Sequence, residues 1–86
     1  MTKRAVKIEL QNGLEARPVA MLVQVASRFE SKVYLETNGK KVNAKSIMGM
    51  MTLGLNSGDT VTVTAEGDDE AAAVSDIEKY LTGVSA

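Results

Sequence analysis

Eighty-six residues are enough for one domain, spanning 1–86, and too few for a second core. The formal net charge is −1, and the chain has neither cysteine nor histidine, so disulfides, thiolate metal sites and imidazole chemistry are excluded. No apolar run approaches the roughly 18 residues of a membrane span, and Met1-Thr2-Lys3-Arg4-Ala5 does not lead into the apolar segment of a signal peptide, so a cytoplasmic protein is expected.

In chain order, Val6, Ile8 and Leu10 alternate with Lys7 and Glu9, the period of a half-buried strand. A loop centred on Asn12-Gly13 follows. From about Ala16 the spacing becomes helical, with Val19, Leu22, Val25 or Ala26, and Phe29 on one stripe. Pro18 falls in the first turn, where its missing N–H costs little. Val33 and Leu35 alternate with Tyr34 and Glu36, and Asn38-Gly39 predicts a type I′ hairpin. The return strand covers Lys40 to Asn43, with Val42 inward. Ser46 opens a short helix that runs to about Leu53 and ends near Gly54.

Ser57-Gly58-Asp59 reads as a turn. Thr60 to Ala65 is the clearest strand, with valines on one face and threonines on the other. Gly67-Asp68-Asp69-Glu70 stops it and starts a helix, its acids placed near the N-terminal dipole. Ala73, Ile77, Tyr80 and Leu81 form that helix's buried stripe, and Gly83 suits its C′ position. The order strand-helix-strand-strand-helix-strand-helix predicts an α+β fold with the helices on one side of an antiparallel sheet. The other sheet face is then open to water, as the threonines suggest.

Charge is unevenly placed: residues 1–45 hold nine Lys/Arg against four Asp/Glu, and residues 46–86 hold one against seven. Such asymmetry either steers a partner or solvates different surfaces. Direct nucleic-acid binding is not expected, because the basic residues are scattered and only Phe29, Tyr34 and Tyr80 are aromatic. An enzyme is not expected either. There is no nucleophile–base pair and no phosphate-cradling glycine loop, and Asp68-Asp69-Glu70 lacks calcium-loop spacing, so neither cofactor nor metal is implied.

Ser46 stands at a helix N-cap, where a serine contributes on the order of 1 kcal/mol to any helix. The same position would also accept a phosphate beside free backbone N–H groups. No residue from Ser46 to Leu55 is charged, and Ile47, Met48, Met50, Met51 and Leu53 are apolar. Helical spacing sends Met50 and Leu53 to the core and leaves Ile47, Met48 and Met51 as an outward patch suited to protein docking.

Asn12-Gly13-Leu14-Glu15-Ala16-Arg17-Pro18 resembles the N-G-L-H-A-R-P active-site loop of HPr, the phosphocarrier of the bacterial sugar phosphotransferase system. Glu15 stands where that family keeps its histidine. Lys45-Ser46-Ile47-Met48-Gly49 is similar to the segment around the family's regulatory serine. A chain with the serine but not the histidine resembles the Crh branch, the catabolite-repression paralogues.

The resemblance implies an open-faced sandwich with sheet order 1-4-2-3 and three helices on one face. It further implies phosphorylation of Ser46 by HPr kinase/phosphorylase, followed by corepressor binding to a CcpA-type transcription regulator in carbon catabolite repression. Arg17, Ile47, Met48 and Met51 would contact partners, and Ala20 and Gln24 continue the outward face of the first helix. Glu15 is read either as a standing mimic of phosphohistidine charge or as drift after catalytic loss, and phosphoryl transfer through it is not expected. Two rivals stay open: a phosphocarrier whose histidine was replaced by glutamate, and a regulator that binds a metabolic enzyme directly. A monomer and a dimer exchanging the N-terminal strand are both compatible with the sequence.

Overall fold

Strand β1 (Thr2–Lys7) leads to helix α1 (Ala16–Ser27), then strands β2 (Lys32–Thr37) and β3 (Lys40–Asn43). Helix α2 (Ile47–Met51), strand β4 (Thr60–Glu66) and helix α3 (Glu70–Leu81) complete the chain. The computed structural model describes residues 1–10 and 16–83. All four strands join one antiparallel sheet in the order β1-β4-β2-β3, the order implied by the resemblance.

The hairpin between β2 and β3 follows from local chemistry. Asn38 and Gly39 both have positive φ, 51° and 76°, as a type I′ turn requires, and this turn's twist matches the strands it joins. Register then places Val33 and Leu35 of β2 beside Ala65 and Val63 of β4 on the helix-facing side. Val61, Val63 and Ala65 are buried there together with Val6, Val33 and Leu35. The helices close this layer with Val19, Leu22 and Ala26 from α1, Met50 from α2, and Ala73, Val74, Ile77 and Leu81 from α3. Val74 joins the stripe expected of α3, while Tyr80 is only half-buried and donates its hydroxyl to the Pro18 carbonyl at 3.1 Å.

Three expectations need correction. The first strand occupies Thr2–Lys7 and not the Val6–Leu10 stretch, because pairing with β4 ends at the Lys7–Thr60 pair. Ile8 is nevertheless buried, since the Asn56–Asp59 turn is sewn to it: Ile8 N donates to Asp59 O at 2.8 Å, and Gly58 N to Ile8 O at 2.7 Å. Secondly, the helix opened by Ser46 stops at Met51 and not near Leu53. Lastly, the outer sheet face is not uniformly wet. Thr60 is exposed but Thr64 is buried, because on the central strand it lies between Lys3 of β1 and Tyr34 of β2.

The Gly67-Asp68-Asp69-Glu70 turn does more than start a helix. Asp69 stands at the N-cap of α3 but makes no side-chain cap bond. Its carboxylate instead accepts from the backbone N–H groups of Glu30 and Ser31, at 2.9 and 3.0 Å, and from the buried Ser31 hydroxyl. This clamps the turn before α3 to the entry of β2. The Ser31 hydroxyl, followed by the Glu30 N–H, holds the Asp69 carboxyl below its ordinary pKa. Glu70 accepts from the Met1 ammonium and the Thr2 hydroxyl, which, in that order and ahead of the Gly67 N–H, pull its pKa down to about 2.

Gly67 has φ +154°, and a Cβ there would lie 2.8 Å from the Ser31 Cα, so this approach admits only glycine. Gly67→Ala should cost about 2 kcal/mol or more, read as a lowered urea midpoint. Gly39→Ala, with open space around its Cβ position, should cost less. Both carboxyls at this turn have depressed pKa values, so their contribution is present above the ordinary carboxylate range and is lost as pH falls below it, for Glu70 through about 2. Urea midpoints measured at pH 7 and pH 3 should fall further for the parent than for Asp69→Asn.

Candidate functional site

The site is built on a helix too short to stand alone. Asn43 prepares its start: the side-chain oxygen accepts from Lys45 N at 2.8 Å and the carbonyl from Ser46 N at 3.0 Å. Ala44 is buried and donates its N–H to Val33 O, which fastens this corner to the sheet. Ser46 then adopts extended φ/ψ of −115° and 114°, and its Oγ accepts from Gly49 N at 3.2 Å. A Cβ at Gly49 would make ordinary contacts, 3.4 Å from Ser46 Oγ and 3.6 Å from Val42 Cβ, so the cap leaves room for a small side chain there. At the other end Thr52 N and Oγ1 both donate to Gly49 O, and Lys40 Nζ donates to Thr52 O at 3.3 Å.

The division of α2 into inward and outward residues is as the spacing predicts. Met50 is fully buried and Leu53 packs half-buried against the core. Ile47, Met48 and Met51 are 46%, 83% and 52% exposed. Ser46 itself is half-buried, its side chain engaged in the cap. Helix α1 packs against α2 on the same side of the sheet. On it Arg17 and Gln24 are exposed and Ala20 is half-buried. Glu15 and the Asn12-Gly13-Leu14 part of the loop lie outside the described residues.

Two features escaped the sequence reading. Met21 is exposed, and with Arg17, Ala20 and Gln24 it completes an i, i+3, i+4, i+7 face; that spacing was the available signal. Lys45, half-buried, sends its ammonium 2.7 Å to the Phe29 carbonyl beyond the end of α1. Nothing local in the sequence marks that contact, which spans 16 residues. A cleft of about 120 Å³ lies between α1 and α3, lined by Val25, Arg28, Asp76, Lys79 and Tyr80, and it includes none of the expected site residues. Among the described residues no group of three or more Asp or Glu is placed to hold a metal ion. The arrangement sets a half-buried hydroxyl beside an apolar surface.

Comparison with known proteins is consistent along the chain. Residues 2–82 match the family described as the PTS HPr component phosphorylation site. The chain is 47% identical over 81 residues to the HPr-like protein Crh of Halalkalibacterium halodurans, covering 94% of this chain and 96% of that one. To Crh of Bacillus subtilis it is 49% identical over 81 residues, with 94% and 95% covered. The fold superposes on the phosphocarrier protein HPr of Bacillus anthracis with a TM-score of 0.91 at 44% identity, covering 93% and 95% of the two chains. It matches a crystal structure of Bacillus subtilis Crh, a dimer with a swapped domain, with a TM-score of 0.79 at 48% identity, covering 96% and 95%.

Removing the cap by Ser46→Ala should cost about 1 kcal/mol, with Ser46→Asp restoring most of it. Met50→Ala should cost about 2–5 kcal/mol through loss of buried volume, whereas Met48→Ala should stay within about 0.5 kcal/mol. Urea denaturation of the two methionine variants would reveal this inward–outward division as two stability classes within one helix.

Proposed function

We propose a regulatory role for this chain, which belongs to the HPr family: it is a Crh-type paralogue switched by phosphate on Ser46. The observation that carries the reading is the pairing of Ser46 with the uncharged, outward face of α2. Support also comes from the chain-long similarity to Crh proteins and from the absence of histidine, which leaves phosphohistidine no side chain on which to form. In this reading HPr kinase/phosphorylase transfers the γ-phosphoryl group of ATP to Ser46 Oγ. The phosphate adds ~1.5–2 negative charges and strong acceptors at one edge of an apolar surface. A CcpA-type regulator then recognises charge and apolar patch together, and that regulator, not this chain, contacts DNA.

Arg17, Ala20 and Gln24 extend the footprint from α1, with the Arg17 guanidinium available to a partner carboxylate or to phosphate oxygens. Glu15 contributes charge at most and no phosphoryl transfer. The protein acts in the cytoplasm as a binding module and not as a catalyst. Since β1 is an edge strand, a dimer formed by its exchange is also open to this chain. The exposed Ile47, Met48 and Met51 equally suit direct docking to a metabolic enzyme, which is the second reading.

Incubation with ATP and HPr kinase/phosphorylase should place one phosphate on Ser46, located by mass spectrometry and absent from Ser46→Ala. The phosphorylated form should then bind purified CcpA-type regulator about tenfold or more tightly than the unmodified form. Labelling elsewhere, or none with an active kinase control, would remove the reading. Labelling without a gain in regulator affinity would favour the enzyme-docking alternative.

A further inference from the structure

The chain has five methionines and no cysteine, so thioethers carry its sulfur redox chemistry. Their placement is uneven. Met48 and Met51 stand exposed on α2, Met50 between them is fully buried, and Met21 is exposed on the neighbouring α1. Neither Met48 nor Met51 belongs to the core, so polar groups can be added to them without breaking its packing.

We propose that Met48 and Met51 form a reversible oxidation site that converts the outward face of α2 from apolar to polar. The oxidant is hydrogen peroxide or a related peroxide. The sulfur lone pair attacks one peroxide oxygen, the O–O bond breaks, an S–O bond forms, and water leaves after proton transfer. Sulfur loses two electrons and the peroxide is reduced. The product sulfoxide is a strong hydrogen-bond acceptor on a formerly apolar side chain; methionine sulfoxide reductases restore the thioether with a dithiol reductant, which is oxidised to its disulfide while the sulfoxide oxygen leaves as water. Met50 provides the internal control, being the same residue type in the same helix but enclosed by the core. That oxidation of this face releases a docked partner rests on the regulatory reading above; the chemistry and the change of surface do not.

The test treats the intact protein with hydrogen peroxide and follows each methionine by peptide mass mapping. Met48 and Met51 should gain one oxygen each, and Met50 should react at least about tenfold more slowly. Retention on a hydrophobic-interaction column should fall, and both mass and retention should recover after treatment with methionine sulfoxide reductases A and B and dithiothreitol as reductant. In the Met48→Leu/Met51→Leu variant most of that retention loss should vanish, although Met1 and Met21 remain oxidisable. Equal oxidation of Met50, unchanged retention, or an equal loss in the double variant would overturn the proposal. With the phosphorylated protein, oxidation should weaken binding of the CcpA-type regulator. Failure of the reduced protein to bind would count against the regulatory reading alone, whereas equal binding before and after oxidation would overturn the release of a docked partner by oxidation.

Discussion

A five-residue helix cannot persist in water by its own hydrogen bonds, because nucleation uses most of what one turn returns. Helix α2 exists because Met50 is driven into the core between the sheet and α1, while Ser46 closes its first turn. Burial of one side chain fixes the helix's rotation, and rotation decides which residues face out. Ile47, Met48 and Met51 are exposed as a consequence of where Met50 goes. The candidate surface is thus the reverse side of a core contact.

Its surroundings hold it in place from three directions. Asn43 braces the corner before Ser46, Lys45 ties that corner to the end of α1, and Lys40 reaches the carbonyl of Thr52 at the far end. Two lysines thereby satisfy carbonyls left unpaired at helix ends, the role for which cations are favoured there. The surface presented to solvent carries no charge of its own between Ser46 and Leu55. A phosphate on Ser46 would put charge at the edge of a face that has none of its own, which is the physical reason to treat Ser46 and the patch together.

The entry of β2, close to the corner that opens α2, depends on a different kind of contact. Asp69 and Ser31 join the turn before α3 to the start of β2, and Gly67 lets the two backbones approach. Polar bonds here do what apolar packing does at α2. Both regions are held by partners distant in sequence.

Features set within a few residues were legible in the sequence. Asn38-Gly39 requires its type I′ turn, Ser46 its cap, and the spacing of Met48, Met50 and Met51 their opposite directions. The sheet order was available only through the resemblance, and the structure bears it out. Tertiary structure alone decided the rest: the end of β1 at Lys7, the burial of Thr64, the use of Asp69 on Ser31 in place of its own helix, and the reach of Lys45 to Phe29. Each of these pairs residues distant in sequence, and no local pattern encodes which distant group will arrive. Periodicity and capping are properties of neighbouring residues, whereas strand ends, shielding and side-chain partners are properties of the packed chain.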